Sequence, residues 1–316
     1  MKYHQYSVYG FKVSSSFELP ELMRAEFASA DVEVLIGDVP ETLEKATRKY
    51  PWVEYGDKVC LLKADGVARF LVEDGCKITI DRRIDRSNAA RPGAPAADVR
   101  VYLLGSAFGA LIHQRQWLPL HISAVKSPKG GVAFTGNSGD GKSTLAGWLH
   151  REYQWALVSD DVSVIKPGED QAMIYPGPRK LKLWDDAVHK LGCEDENLVH
   201  DLSNTPKFQL YLPDSDRCEP SLLKDLVILS RSEGDEKAKI NKLKGSQAFL
   251  ACRFALYRPY MSVWFRDQAK VLQDLAELAE RVSIYRFQRS WDMDHFESQL
   301  HPLLVNLIGE DNLGSV

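Results

Sequence analysis

A chain of 316 residues is long for one small domain and suits two, and its 27% charged and 44% hydrophobic residues are ordinary for a globular protein. A formal net charge of −4 gives nucleic acid no electrostatic case as the main partner. No run of 18 apolar residues and no basic-then-apolar leader is present, so a cytoplasmic protein with no membrane partner is expected. The five cysteines (Cys60, Cys76, Cys193, Cys218, Cys252) are dispersed, which predicts free thiols rather than a disulfide frame or zinc site.

Residues 1–97 read as a β-rich unit with a linker. Tyr6–Val13 alternates at period two, and Asp31–Ile36, Val59–Leu62, Val67–Val72 and Lys77–Asp81 are further strands. Asp65-Gly66 marks a hairpin, and an antiparallel meander is expected. Whether this unit binds an acceptor or pairs protomers is open. Residues 82–97, ending in Pro- and Ala-rich sequence, read as a linker or exposed loop. Residues 98–316 read as the second domain. Val101, Leu104, Phe108, Leu111 and Ile112 recur at helical spacing from Asp98, and the helix should stop near Trp117-Leu118-Pro119.

Leu120–Val125 is then a strand, turning through Pro128–Gly131 into the apolar strand Val132–Phe134. Next comes G-x-x-x-x-G-K-[ST], running Gly136, Asn137, Ser138, Gly139, Asp140, Gly141, Lys142, Ser143 and Thr144. Its glycines permit positive φ, so that backbone N–H groups and the helix N-terminus converge on phosphate oxygens. Lys142 reaches the β- and γ-phosphates in such a loop, and the Ser143 hydroxyl ligates Mg²⁺. Four fixed positions match by chance in roughly one chain of this length in a hundred; a strand before and a helix after are the confirming context. A second apolar run, Trp155–Val158, ends in Ser159-Asp160-Asp161. Carboxylates at that end of a strand can hold a metal or take a proton. The hairpin should bring His121 or Ser123 to the same end, where a histidine serves either as a hydrogen-bonded structural residue or in handling charge and protons.

Beyond the acidic pair, Val162–Ile165 and Gln171–Tyr175 flank a Pro-Gly turn as a hairpin. Tyr175–Trp184 combines prolines with Arg179, Lys180 and Lys182; Arg179 and Lys182 are candidates for steadying a γ-phosphate or binding an acidic acceptor, or are simply solvated. Arg253 and Arg258 are weaker candidates of the same kind. Trp148, Trp155 and Trp184 are expected in the core rather than as a platform for a ligand. Asp185–Leu191 should be a helix stopped by Gly192. Phe208–Leu212, Leu226–Leu229 and Ile240–Leu243 read as strands, Ser246–Leu256 and Val263–Val282 as helices, Ser283–Phe287 as a strand and Asp294–Ile308 as a closing helix.

LHISAVKSPKGGVAFTGNSGDGKSTLAGWL, ALVSDDVSVI and YPGPRKLKLW together resemble the HPr kinase/phosphorylase-related group, whose core is similar to phosphoenolpyruvate carboxykinase, and within it most resemble the lasso-peptide precursor kinases. The likeness spans residues 118–260. It implies an α/β fold with a P-loop kinase core and a smaller β-rich N-terminal domain, and ATP and Mg²⁺ as cofactors. It further implies a peptide or protein substrate with an acceptor serine, with Asp160 as general base, Asp161 in the metal region and His121 near the transferred phosphate. Related kinases are often assemblies. The signature that supports phosphorylase activity has no clear copy near the carboxyl end, so neither phosphorolysis nor HPr as acceptor is expected. A kinase of a small hydroxylated metabolite or sugar, and an ATP-sensing module without transfer, stay open beside the peptide kinase.

Overall fold

In the first hairpin, His4–Val8 pairs with Phe11–Ser15 across a two-residue turn. Tyr9 and Gly10 both take positive φ there, 55° and 76°, as the tight hairpin turn whose twist suits its strands requires. The period-two run 6–13 is therefore two strands, not one. This comes from a computed structural model, which describes residues 3–83, 94–167, 170–196, 198–202, 206–213, 218–232, 237–290 and 295–312. Most of the linker, the Gly168 part of the Pro-Gly turn and the Asp294 start of the closing helix lie outside the described residues.

The N-terminal sheet has nine strands in the order Met23–Arg24, His4–Val8, Phe11–Ser15, Val32–Ile36, Lys77–Asp81, Ala68–Glu73, Val59–Ala64, Val53–Gly56 and Arg48–Tyr50. It is mixed, which corrects the expected meander: Val32–Ile36 runs parallel to both of its neighbours. Strand periodicity states which residues face a core but not which way a neighbour runs. The helix after the linker is Ala96–Tyr102, a π turn Leu103–Ala107 and Phe108–Gln114, ended by Gln116 at φ 64°. Its Val99, Leu103, Phe108 and Leu111 are buried in the same cluster as Val13, Phe70 and Ile80 of the sheet, so the helix is packed into the N-terminal unit's core.

A second nine-stranded sheet carries the strand that leads into the glycine-rich loop. Gly130–Thr135 pairs antiparallel with Ser123–Ser127 and parallel with the 11-residue Ser221–Arg231. Ser123–Ser127 also pairs antiparallel with Ala156–Ser159, so the strand carrying the acidic pair lies one strand away from the loop strand, not beside it. The two run in the same direction, and their carboxyl ends share one edge. Ser221–Arg231 continues the sheet to Met173–Tyr175 and to Ser283–Arg289, which pairs with Lys239–Leu243. Leu118–Leu120 and Ser163–Ile165 close the far side.

Successive side chains of the loop strand point to opposite faces. Val132 and Phe134 join Leu145 and Leu149 of the helix Lys142–Tyr153 and Leu300 and Leu304 of Phe296–Ile308. Ala133 faces Ala251 of Ser246–Ala255 and Leu275 of Gln268–Arg281. The result is a mixed α/β architecture with helices on both faces of this sheet, each buried leucine contributing about 1.5–3 kcal/mol. A third sheet, Lys180–Trp184, Lys207–Tyr211 and Leu198–His200, lies over the loop helix. Gly147 lets it come close, since a Cβ there would stand 3.0 Å from Leu191 and 3.1 Å from Leu181.

Three further expectations are corrected. The strand foreseen at 120–125 is broken at His121-Ile122 into pieces with different partners. The helix foreseen at 263–282 is two, Pro259–Phe265 and Gln268–Arg281, because the Asp267 side chain caps the second by accepting the Ala269 N–H. Trp148 and Trp155 are buried, but Trp184 is 41% exposed.

Candidate phosphate-binding and acidic site

The loop turns with Gly139 and Gly141 at φ 90° and 82°, and the helix begins at Lys142 with no side chain capping it. The first intrahelical bond runs from the Leu145 N–H to the Gly141 carbonyl, leaving the N–H groups of Lys142, Ser143 and Thr144 without helical partners, as at any helix start. Asp140 stiffens the loop by accepting the Asn137 N–H at 2.7 Å. Arg231 donates to the Gly139 carbonyl at 2.9 Å and lies 3.5 Å from Asp140. The Lys142 ammonium, itself buried, donates to the Gly136 and Asn137 carbonyls at 2.9 and 3.0 Å. Burial lowers its pKa, opposed by the charges of Asp160, Asp161 and Asp140.

Asp160 is 4% exposed and accepts three hydrogen bonds. Its Oδ1 takes the Ser123 hydroxyl at 2.5 Å and the Ser143 hydroxyl at 2.8 Å, and its Oδ2 takes the Lys182 backbone N–H at 2.7 Å. Asp161 follows at φ 75°, an unusual value for a residue with a side chain, and that turn sends its carboxylate a different way. It meets the Lys182 ammonium at 2.9 Å and lies 3.5 Å from the His121 ring. Burial resists the charge on Asp161, but Lys182 and His121 outweigh it and hold the carboxyl well below the usual range. Lys182 is driven the other way: burial alone would lower it, and Asp161 with Asp201, 3.6 Å away, raises it above an ordinary lysine.

His121 is held through both its backbone and its ring. Its N–H donates to the Ala255 carbonyl, its carbonyl accepts the Thr135 hydroxyl, and its Nδ1 stands 2.8 Å from the Asp161 carbonyl. A carbonyl can only accept, so Nδ1 carries the proton in this contact. The N-terminal unit reaches this place too, as the Tyr9 N–H donates to the Pro176 carbonyl and the Tyr9 ring lies against Gly177, beside Ser159.

A cavity of about 620 Å³ joins these parts. His121, Ser123, Lys142, Ser143, Asp161 and Lys182 line it, with Ser138, Gly139, Gly141 and Thr144 forming the loop side; Asp160 stands directly behind Ser123 and Ser143. Its size is that of a small-molecule site. Arg179 is not among the lining residues: its N–H bonds the Glu21 carbonyl and its guanidinium the Leu212 carbonyl. Arg253 is exposed, and Arg258 bonds the Tyr260 hydroxyl. Trp184, expected in the core, lines the cavity instead, together with Asp185, Asp186, Lys207 and Arg231, which were not singled out in the sequence. Period two would have found Trp184, since it shares a strand face with Lys182.

Among the described residues no group of three or more His, Cys, Asp or Glu side chains forms a metal cage. The donor set still suits Mg²⁺, which prefers oxygen ligands and is held by one or two carboxylates plus substrate phosphates; Ser143 and Asp160 offer such oxygens 2.8 Å apart. No helix among the described residues is long and apolar enough to cross a membrane.

No protein-family model matches the chain, and no curated protein matches it. Among solved structures, the HPr(Ser) kinase/phosphatase from Coxiella burnetii aligns with 61% of this chain and 94% of its own, at 11% identity and a TM-score of 0.29. That level of likeness assigns no role to any residue.

Proposed function

We propose that this protein is an ATP-dependent kinase that transfers a γ-phosphate to a serine hydroxyl of a peptide or protein. The observation that carries the reading is the bond from the phosphate-loop Ser143 to the buried Asp160 carboxylate, on the wall of a cavity that also holds Lys142, His121 and the Asp161–Lys182 pair. Phosphoryl transfer needs charge neutralised and an acceptor held in line, and this cavity offers an uncapped helix N-terminus, a buried ammonium and an acidic pair.

In this reading the triphosphate lies on the loop amides, and Lys142 exchanges its loop carbonyls for phosphate oxygens. Ser143, with carboxylate support from Asp160 or Asp161, would hold Mg²⁺, which would supply charge neutralisation. Rotation of the Ser143 hydroxyl away from Asp160 opens Oδ1 towards the cavity. The acceptor oxygen then forms a bond to the γ-phosphorus, the bond from phosphorus to the bridging oxygen of ADP breaks, and the acceptor proton passes to Asp160. Lys182 and His121 hold Asp161 ionised beside the reacting centre.

A peptide acceptor is favoured by a second, largely apolar groove of about 490 Å³ that shares Arg231 with the first and is lined by Asn137, Leu250 and Phe254. Leu250 and Phe254 are half-exposed there, a surface that an extended chain can cover and a small metabolite leaves bare. The sequence resemblance makes a lasso-peptide precursor the acceptor to try first. The test is incubation of the full chain with γ-labelled ATP, Mg²⁺ and the peptide encoded beside its gene, followed by mass spectrometry. One phosphate gained on a serine is expected; label released only as free phosphate defeats the proposal.

A further inference from the structure

The stretch of cavity wall from Trp184 to Asp186 has no part in the transfer described above. Lys182 and Trp184 lie two apart on one strand, so their side chains share a face, with about 7 Å between their Cα atoms. Lys182 meets the acidic pair, and Trp184, next along the same face, also lines the cavity. There the indole is 41% exposed, although large apolar rings are normally covered. Lys207, its partner across the strands, holds its ammonium 5.4 Å from the ring centroid, which fixes the ring without enclosing it. Asp185 and Asp186 follow directly and line the same cavity. Carboxylates there repel phosphate and accept hydrogen bonds from hydroxyl and amino groups, so the cavity is polar in a directed sense: anion-binding at the loop, aromatic and hydroxyl-accepting at Trp184.

We infer that the Trp184 indole is the platform on which the base of the nucleotide stacks, with Asp185 and Asp186 facing its ribose and amino groups. The inference rests on the ATP-dependent reading above and adds to it the residue that recognises the nucleoside. An aromatic side chain stacks on any base, so affinity at this point comes from the flat face rather than from a hydrogen-bond pattern.

The test measures binding of two probes, MgATP and magnesium tripolyphosphate, to the full-length parent, Trp184→Ala and Trp184→Phe by calorimetry. Tripolyphosphate has the loop's ligand and no base. Trp184→Ala should bind ATP about tenfold more weakly, Trp184→Phe within about threefold of the parent, and all three should bind tripolyphosphate alike. Unchanged ATP affinity in Trp184→Ala beside normal parent binding overturns the base platform alone, as does a raised KM for the acceptor with ATP affinity intact. An equal loss for both probes also overturns it, because the indole would then be shaping the loop. A parent that binds neither probe overturns the kinase reading itself.

Discussion

Asp160→Asn separates the fold of the site from its chemistry. The parent carboxylate accepts two hydroxyls on Oδ1 and one amide on Oδ2. An asparagine that turns its oxygen to the Lys182 amide presents its NH₂ to Ser123 and Ser143, whose hydroxyls rotate to accept. Three charge-assisted bonds become neutral ones at about 1 kcal/mol each, partly offset by no longer burying a charge, for a net cost of about 1–2 kcal/mol. The amide takes no proton, and a lost general base costs about 10²–10⁴ in rate. Single-turnover transfer from labelled ATP, ATP affinity by calorimetry and urea unfolding read the three effects in one preparation. Transfer should fall by about 10²–10⁴ with ATP affinity within about threefold of the parent. Transfer at the parent's rate refutes the base; lost ATP binding in a folded variant would mean that Asp160 acts through Ser143 alone.

Three further changes test the frame around that centre. In Gly136→Ala the added Cβ would stand 3.1 Å from Asp140 and 3.1 Å from the Leu229 carbonyl, which is fixed backbone; about tenfold weaker ATP binding is expected, and unchanged calorimetric affinity would show the loop to be slack. Asp274→Ala strips the partner from the fully buried Arg266, bonded at 2.5 Å, and should lower unfolding free energy by about 3–5 kcal/mol; a urea midpoint equal to the parent's contradicts this. Lys180 is 4% exposed, and burial, with Lys182 beside it, pushes its pKa down to about 8. That is below the unfolded value of about 10.4, so between the two the unfolded chain holds more protons and stability rises with pH, by at most about 3 kcal/mol. Lys180→Met should remove this rise, and parallel pH–stability curves for parent and variant would count against it.

The readable part of the site was local. Gly136 to Ser143 carry their own geometry, because positive φ, a helix start and a lysine at fixed spacing are set within a few residues, and that is the shape in which phosphate nests are built. Asp160 and Asp161 were readable for a related reason: a strand ending in carboxylates delivers them to the sheet edge where α/β proteins bind ligands. Their different surroundings were not. Adjacent residues share a sequence position, yet Asp161 at φ 75° turns to Lys182 and His121 while Asp160 turns back to Ser123 and Ser143. Among the basic candidates, Lys182 and Arg179 looked alike; strand register put one against Asp161 and the other against Leu212.

By itself, then, the sequence determined which core segments are strand and which helix, though not always their ends, that a glycine-rich G-x-x-x-x-G-K-S turn lies between one strand and one helix, and that two carboxylates end a nearby strand, since each follows from interactions a few residues long. Tertiary structure decided the rest. It ran Val32–Ile36 parallel to its neighbours, broke the strand at His121, divided 259–281 into two helices, and laid Trp184, Lys207 and Arg231 around the cavity. Those outcomes depend on which distant surfaces meet, as where Gly147 lets the third sheet settle over the loop helix, and no spacing along the chain encodes such a meeting.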